Sequence, residues 1–238
     1  MPILAKDFTI GLLVTALLED RYNKTGHMRD EARRVAARYA ERLGRFGTVV
    51  HPGFFEYEAE AARAARELAA KAVDCVVIVE LAYQKGLIPM RALRELGVPV
   101  IVWNAQLVDE FAEDADFDLI MMNSGMAGLP ELTSSLIRAG RDFHLVTGCI
   151  DDAGTIEHLG RVLRAAKAAA RLRNSRIGII GNPYEGMTDL MQDNFAVMET
   201  LGATCWPIQP DEVTDAFLAA SEKDAGRLVE EERANGRA

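Results

Sequence analysis

Arg176-Ile177-Gly178-Ile179-Ile180-Gly181, with Asn182-Pro183-Tyr184-Glu185-Gly186-Met187-Thr188-Asp189 behind it, is the stretch from which the fold is read. The short β-branched run suits a strand covered on both faces. Gly181, Pro183 and Gly186 then turn the chain before any helix begins. Thr188 or Asp189 can cap a helix that carries Met191, Phe195, Met198 and Leu201 at helical spacing. In a parallel α/β sheet, ligands sit in the loops after the carboxyl ends of strands. Tyr184, Glu185 and Thr188 are therefore candidate binding residues. One α/β unit ends just before this stretch and a second begins with it.

Working back from there, the same alternation of strand and helix recurs. Residues 8–15 read as a first strand, followed by a polar loop that contains Tyr22. Met28, Ala32, Val35, Tyr39 and Leu43 repeat every three or four residues, which predicts an amphipathic helix. Residues 48–50 read as a short strand, and an Ala-rich helix over 57–71 turns Ala61, Ala65, Leu68 and Ala72 inward. Cys75-Val76-Val77-Ile78-Val79 is the clearest strand of all, ahead of a helix through Leu87, Met90, Leu93 and Leu96. Pro89 falls in the first turns of that helix, where its missing N–H costs least. Strands follow at 99–103 and 143–147, and a helix from Thr155 shows a basic row to solvent near its carboxyl end. The expected architecture is a flavodoxin- or Rossmann-like parallel sheet with helices on both faces, over residues 1–173. Residues 174–238 start a second α/β unit with only two strands, 176–180 and 204–208, and one or two acidic helices. Two strands are too few for an independent sheet. Either the chain is a piece of something longer, or these strands extend another sheet or pair with a partner.

Composition narrows the function. A chain of 238 residues with 49% hydrophobic and 26% charged residues is ordinary for a globular protein. A net charge of −9 argues against an electrostatic grip on nucleic acid or an anionic membrane, and leaves small neutral ligands open. Cys75, Cys149 and Cys205 are far apart and read as buried thiols in a reducing compartment. No signal-peptide pattern and no apolar run of about 18 residues is evident, so the expected location is the cytoplasm.

Motifs for nucleotides and nucleophiles are missing. There is no Gly-x-Gly-x-x-Gly after the first strand, no P-loop and no Gly-x-Ser-x-Gly. His27, His51, His144 and His158 have no partners at metal-ligand spacing, so no metal site is expected within this chain. What remains is a set of polar loops at strand ends: 19–23, 80–83, 104–106, 123–125, 147–152 and 184–189. Their amides, hydroxyls and carboxylates suit a sugar-like polyol. The candidate substrate-binding residues are Tyr22, Asn104, Asn123, Ser124, Tyr184, Glu185 and Thr188, and no catalytic residue is assigned.

The order of these pieces resembles the N-terminal domain and the start of the central domain of the L-fucose/L-arabinose isomerase superfamily. Three places carry the resemblance: Leu13-Val14-Thr15 with Tyr22 downstream; Asp116-Phe117-Asp118-Leu119-Ile120-Met121-Met122-Asn123; and Ile177 to Gly181 with Gly186-Met187-Thr188-Asp189. The resemblance implies aldose–ketose isomerisation, in which a divalent metal, usually manganese, orients two oxygens while a proton moves through an enediol. It implies that the metal ligands lie in a C-terminal domain outside this chain. It also implies that this region covers a small sugar, with Tyr22 and Asn123 facing it, in a homo-oligomer or an assembly with the catalytic domain. Where arabinose isomerases carry Gln and His after that Asn, this chain has Ser124 and Ala127, which argues against L-arabinose. The alternative, from another class, is a non-catalytic cytoplasmic sugar-binding or sensory module.

Overall fold

The computed structural model describes residues 8–20, 27–182, 184–187 and 192–235. The chain folds as two compact units, divided between Ala170 and Arg171.

In the first unit, β1 (Thr9–Thr15), β4 (Cys75–Glu80), β5 (Val100–Gln106) and β6 (Phe143–Cys149) lie side by side in parallel. Two short strands, β2 (Thr48–Val50) and β3 (Phe54–Phe55), share the other edge of β1. β2 pairs with Thr9 to Gly11, and β3 with Val14 and Thr15. Together they fill one strand position interrupted at 51–53. The sheet order is thus the doubly wound one, second strand, first strand, then the rest in turn, which is the flavodoxin-like arrangement. β4 is buried at all six positions, as a strand covered on both faces must be.

Helices cover both faces of this sheet. On one, α1 (His27–Gly44) and α6 (Ala153–Arg173) pack onto Ile10, Leu12, Val77, Ile101 and Trp103. The α1 residues expected inward, Met28, Ala32, Val35, Tyr39 and Leu43, are all buried. Tyr39 stands edge-on to Trp103, ring centroids 5.0 Å apart, and its hydroxyl donates to the Ala105 carbonyl at 3.3 Å. Burial raises the Tyr39 pKa, and it pushes the Cys75 thiol up to about 12, so that cysteine is an inert core thiol.

On the other face, α2 (Glu58–Ala70), α3 (Leu87–Leu93) and α5 (Leu129–Arg138) cover Leu13, Val76, Ile78, Val100 and Val102. One inward expectation fails here. Ala72 lies past the end of α2 with φ at 47° and is exposed, because the chain must reverse there to enter β4. Leu87 is 78% exposed, since it opens the short α3 before the helix meets the sheet.

The second unit holds β7 (Arg176–Ile180) and β8 (Thr204–Ile208), which pair in parallel with each other in a sheet of their own. With them are α7 (Asn194–Leu201), α8 (Pro210–Ala219) and α9 (Glu222–Ala234). The expected cap at Thr188 or Asp189, and Met191, fall outside the described residues. α7 instead starts after Asp193, whose carboxylate accepts from the Phe195 and Ala196 N–H groups. Gly202 ends it with φ at 72°, a left-handed cap that suits glycine. Phe195, Met198 and Leu201 keep helical spacing but are 71%, 39% and 42% exposed. Among the described residues of this unit only Ala203 is buried, so the apolar spacing is present without an opposing layer.

Candidate functional site

The switch point of the sheet, between the carboxyl ends of β1 and β4, is where this fold concentrates buried polarity. Among the described residues five polar side chains are buried, and four of them, Thr15, Glu56, Glu80 and Gln84, meet there. Thr15 Oγ1 donates to the Phe55 carbonyl at 2.8 Å. Gln84 Nε2 reaches both Thr15 Oγ1 at 2.9 Å and the Glu56 carbonyl at 3.1 Å. Glu56 accepts the Leu18 N–H at 2.9 Å and the Arg29 Nε–H at 2.6 Å, and Arg29 also donates to the Leu18 carbonyl and to Asp20. These bonds raise the Arg29 pKa further above its ordinary value, Glu56 contributing most. The network ties the loop after β1 to the first turn of α1.

Glu80 differs from its neighbours. It is 5% exposed, and neither carboxyl oxygen has a hydrogen-bond partner among the described residues. Burial, reinforced by the nearby Glu131 carboxylate, pushes its pKa up to about 8, so it holds its proton at neutral pH. Glu131 itself accepts the Gly86 N–H and the Tyr83 hydroxyl, at 3.1 and 2.9 Å, and these bonds hold its pKa below the ordinary value. Over Glu80 lies a short 3-10 turn, Gly125–Ala127. A Cβ at Gly125 would overlap the Glu80 carbonyl, and one at Gly128 would lie 2.5 Å from Glu80 Oε2. Gly125→Ala is accordingly expected to cost about 1–3 kcal/mol in a urea melt, the scale of overpacking a filled site. An unchanged midpoint would mean the turn does not rest on β4.

Further along the same edge the sequence-predicted residues come together. Gln106 Nε2 donates to Asn104 Oδ1 at 3.0 Å, and Asn104 Nδ2 points to Thr147 Oγ1 at 3.5 Å. Asn123 Oδ1 accepts the Leu107 N–H at 2.6 Å, pinning the end of α4 (Phe117–Met122) to the end of β5. Ser124 Oγ donates to the Met121 carbonyl at 2.6 Å. Beside Leu107 is a cavity of about 270 Å³, lined also by His27, Met28, Asp116 and Met122. A larger open groove of about 600 Å³ lies between α1 and α6. Arg42 and Asp151 line it, Asp151 in the loop after β6 is paired with both Arg42 and Arg38, and none of Asn104, Gln106, Asn123 or Thr147 lines the groove.

Tyr184 and Glu185 are exposed in the second unit, Tyr184 to 76%. Tyr22 and Thr188 lie outside the described residues. His51 is a packed histidine, with Nδ1 3.2 Å from the Leu12 carbonyl oxygen and a pKa lowered by burial. Among the described residues, no three His, Cys, Asp or Glu side chains converge as ligands for a metal ion. No described helix is long and apolar enough to cross a membrane. Sequence reading missed Thr15, Arg29, Glu56 and Gln84. The one local signal was a glutamate ending an otherwise apolar strand, Cys75–Glu80.

No protein-family model matches the chain, and no curated protein matches it either.

Proposed function

We propose that this chain is the substrate-covering region of a sugar isomerase of the L-fucose/L-arabinose type, offering an uncharged polar rim to a small aldose or ketose. One observation carries this reading: Gln106, Asn104 and Thr147 form a linked row of amides and a hydroxyl at the carboxyl ends of β5 and β6. Asn123 is fastened to the next residue of the same edge. Such groups donate and accept without demanding charge, as a hydroxyl-rich ligand requires. Leu145, 46% exposed two residues before Thr147 on the same sheet face, gives the C–H side of a sugar ring an aliphatic surface.

Among the described residues no set of carboxylates converges as ligands for manganese, so no step is assigned through it. The part played by these residues is binding and the exclusion of water, with the cation held by residues of an associated catalytic domain. Calorimetric titration with a panel of pentoses, hexoses and 6-deoxyhexoses is expected to show saturable binding of at least one sugar. Asn104→Ala should weaken that binding about tenfold, the loss of one or two neutral hydrogen bonds. Absence of any binding, or an Asn104→Ala variant that binds like the wild type, would overturn the reading. Turnover of an aldose by this chain with manganese alone would overturn the division of labour.

A further inference from the structure

Glu80 closes β4 as a buried acid whose two carboxyl oxygens find no partner among the described residues. Among the described residues its surroundings offer no countercharge. Thr15, its pairing partner on β1, is neutral, and the Gln84 amide is committed to Thr15 and Glu56. The Arg29 guanidinium on α1 is held by Glu56 and Asp20. On α5 the facing group is a second acid, Glu131, and the Tyr83 hydroxyl donates to that acid. The covering residues, Ser124, Gly125, Met126, Ala127 and Gly128, carry no charge. An ionised Glu80 would stand unsolvated and unpaired, so something must move to let water in.

β4 cannot be that element, since β1 and β5 hold it on both sides. The cover can be. The Ala127 N–H bonds the Ser124 carbonyl at 2.9 Å and the Gly128 N–H bonds the Gly125 carbonyl at 3.0 Å, so the turn closes on itself and can lift without losing these bonds. We propose that the 124–128 turn is a pH-responsive latch over the switch point, shut while Glu80 holds its proton and lifted when the proton leaves. Asn123, pinned to Leu107, and the start of α5 are the two ends about which it moves. The latch depends only on the chain's own groups and stands apart from the identity of any ligand at the rim.

Hydrogen exchange of the 123–128 segment tests it, with rates corrected for intrinsic chemistry and referenced to α2. In the wild type, exchange is expected to rise about tenfold or more between roughly pH 6 and pH 9. Glu80→Gln should keep it flat. Glu131→Gln, which retains Glu80 and removes the second acid, should move the midpoint to lower pH. Protection that ignores pH in the wild type overturns the latch, as does an equal rise in Glu80→Gln. Should Glu80→Gln fail to fold, the wild-type profile and the Glu131→Gln midpoint decide, an unshifted midpoint counting against the proposal.

Discussion

Glu80→Gln should make the protein more stable at pH 8 than the wild type, and should remove most of a decline in stability that begins near pH 4.5. The sign follows from proton counting. In the unfolded chain this carboxyl ionises near 4.5, whereas in the fold burial and Glu131 hold the proton to about 8. Between those values the folded state binds more protons than the unfolded one, so stability falls as pH rises. Above both values the penalty is complete, on the order of 5 kcal/mol at about 1.36 kcal/mol per unit. Glutamine keeps the shape and never ionises, so it carries the cost of a neutral buried amide at every pH. The other shifted carboxylates, Glu131, Asp151 and Asp152, have lowered values and act in the opposite sense in acid, where their stabilisation is lost as pH falls. Cys75 adds a penalty only in more alkaline solution. Urea melts of both proteins from about pH 5 to 8.5 isolate the Glu80 window. Parallel pH profiles for wild type and Glu80→Gln would show that water already reaches the carboxyl group.

The contrast between Glu80 and α1 shows how far a sequence can be read. Met28, Ala32, Val35, Tyr39 and Leu43 are buried as their spacing demands, because one helix face meeting one sheet face is a local pattern. The β4 run is as direct, since a strand without polar alternation has nowhere to lie except inside. The polar crevice is another matter. Arg29 meets Glu56 across 27 residues, and Gln84 meets Thr15 across 69; nothing in the spacing of either pair distinguishes them from solvated side chains. They converge only because β3 and β4 both pair with β1, and β3 is two residues long, below what periodicity can reveal. Asn104 was legible as a polar residue at a strand end, whereas Asn123, read the same way, follows the helix α4 rather than a strand; their fixing by Thr147, Gln106 and Leu107 depends on the register of β6 against β5 and on where α4 ends. In the second unit the failure runs the other way. The apolar spacing of Phe195, Met198 and Leu201 is present, and the layer that would bury it is not found among the described residues.

Arg29→Ala is the other substitution expected to be severe, by about 3 kcal/mol at neutral pH. Glu56 is nearly buried, with a side chain 7% exposed, and Arg29, at 27%, supplies its Nε–H at 2.6 Å. Ion pairs of this kind gain little over an apolar substitute, yet removing one member leaves a buried charge without compensation. Among the described residues Glu56 would retain only the Leu18 N–H, and the Leu18 carbonyl would lose its donor from Arg29. Two further measurements separate this cause from the loss of side-chain packing. Acid should rescue the variant, because a buried carboxyl group without its partner costs far less once it carries no charge. Adding Glu56→Gln should recover about 1–2 kcal/mol at pH 7, since the amide oxygen still accepts from Leu18 without burying a charge. A loss below about 1 kcal/mol, or one that neither acid nor Glu56→Gln relieves, would place the pair in water rather than in the crevice.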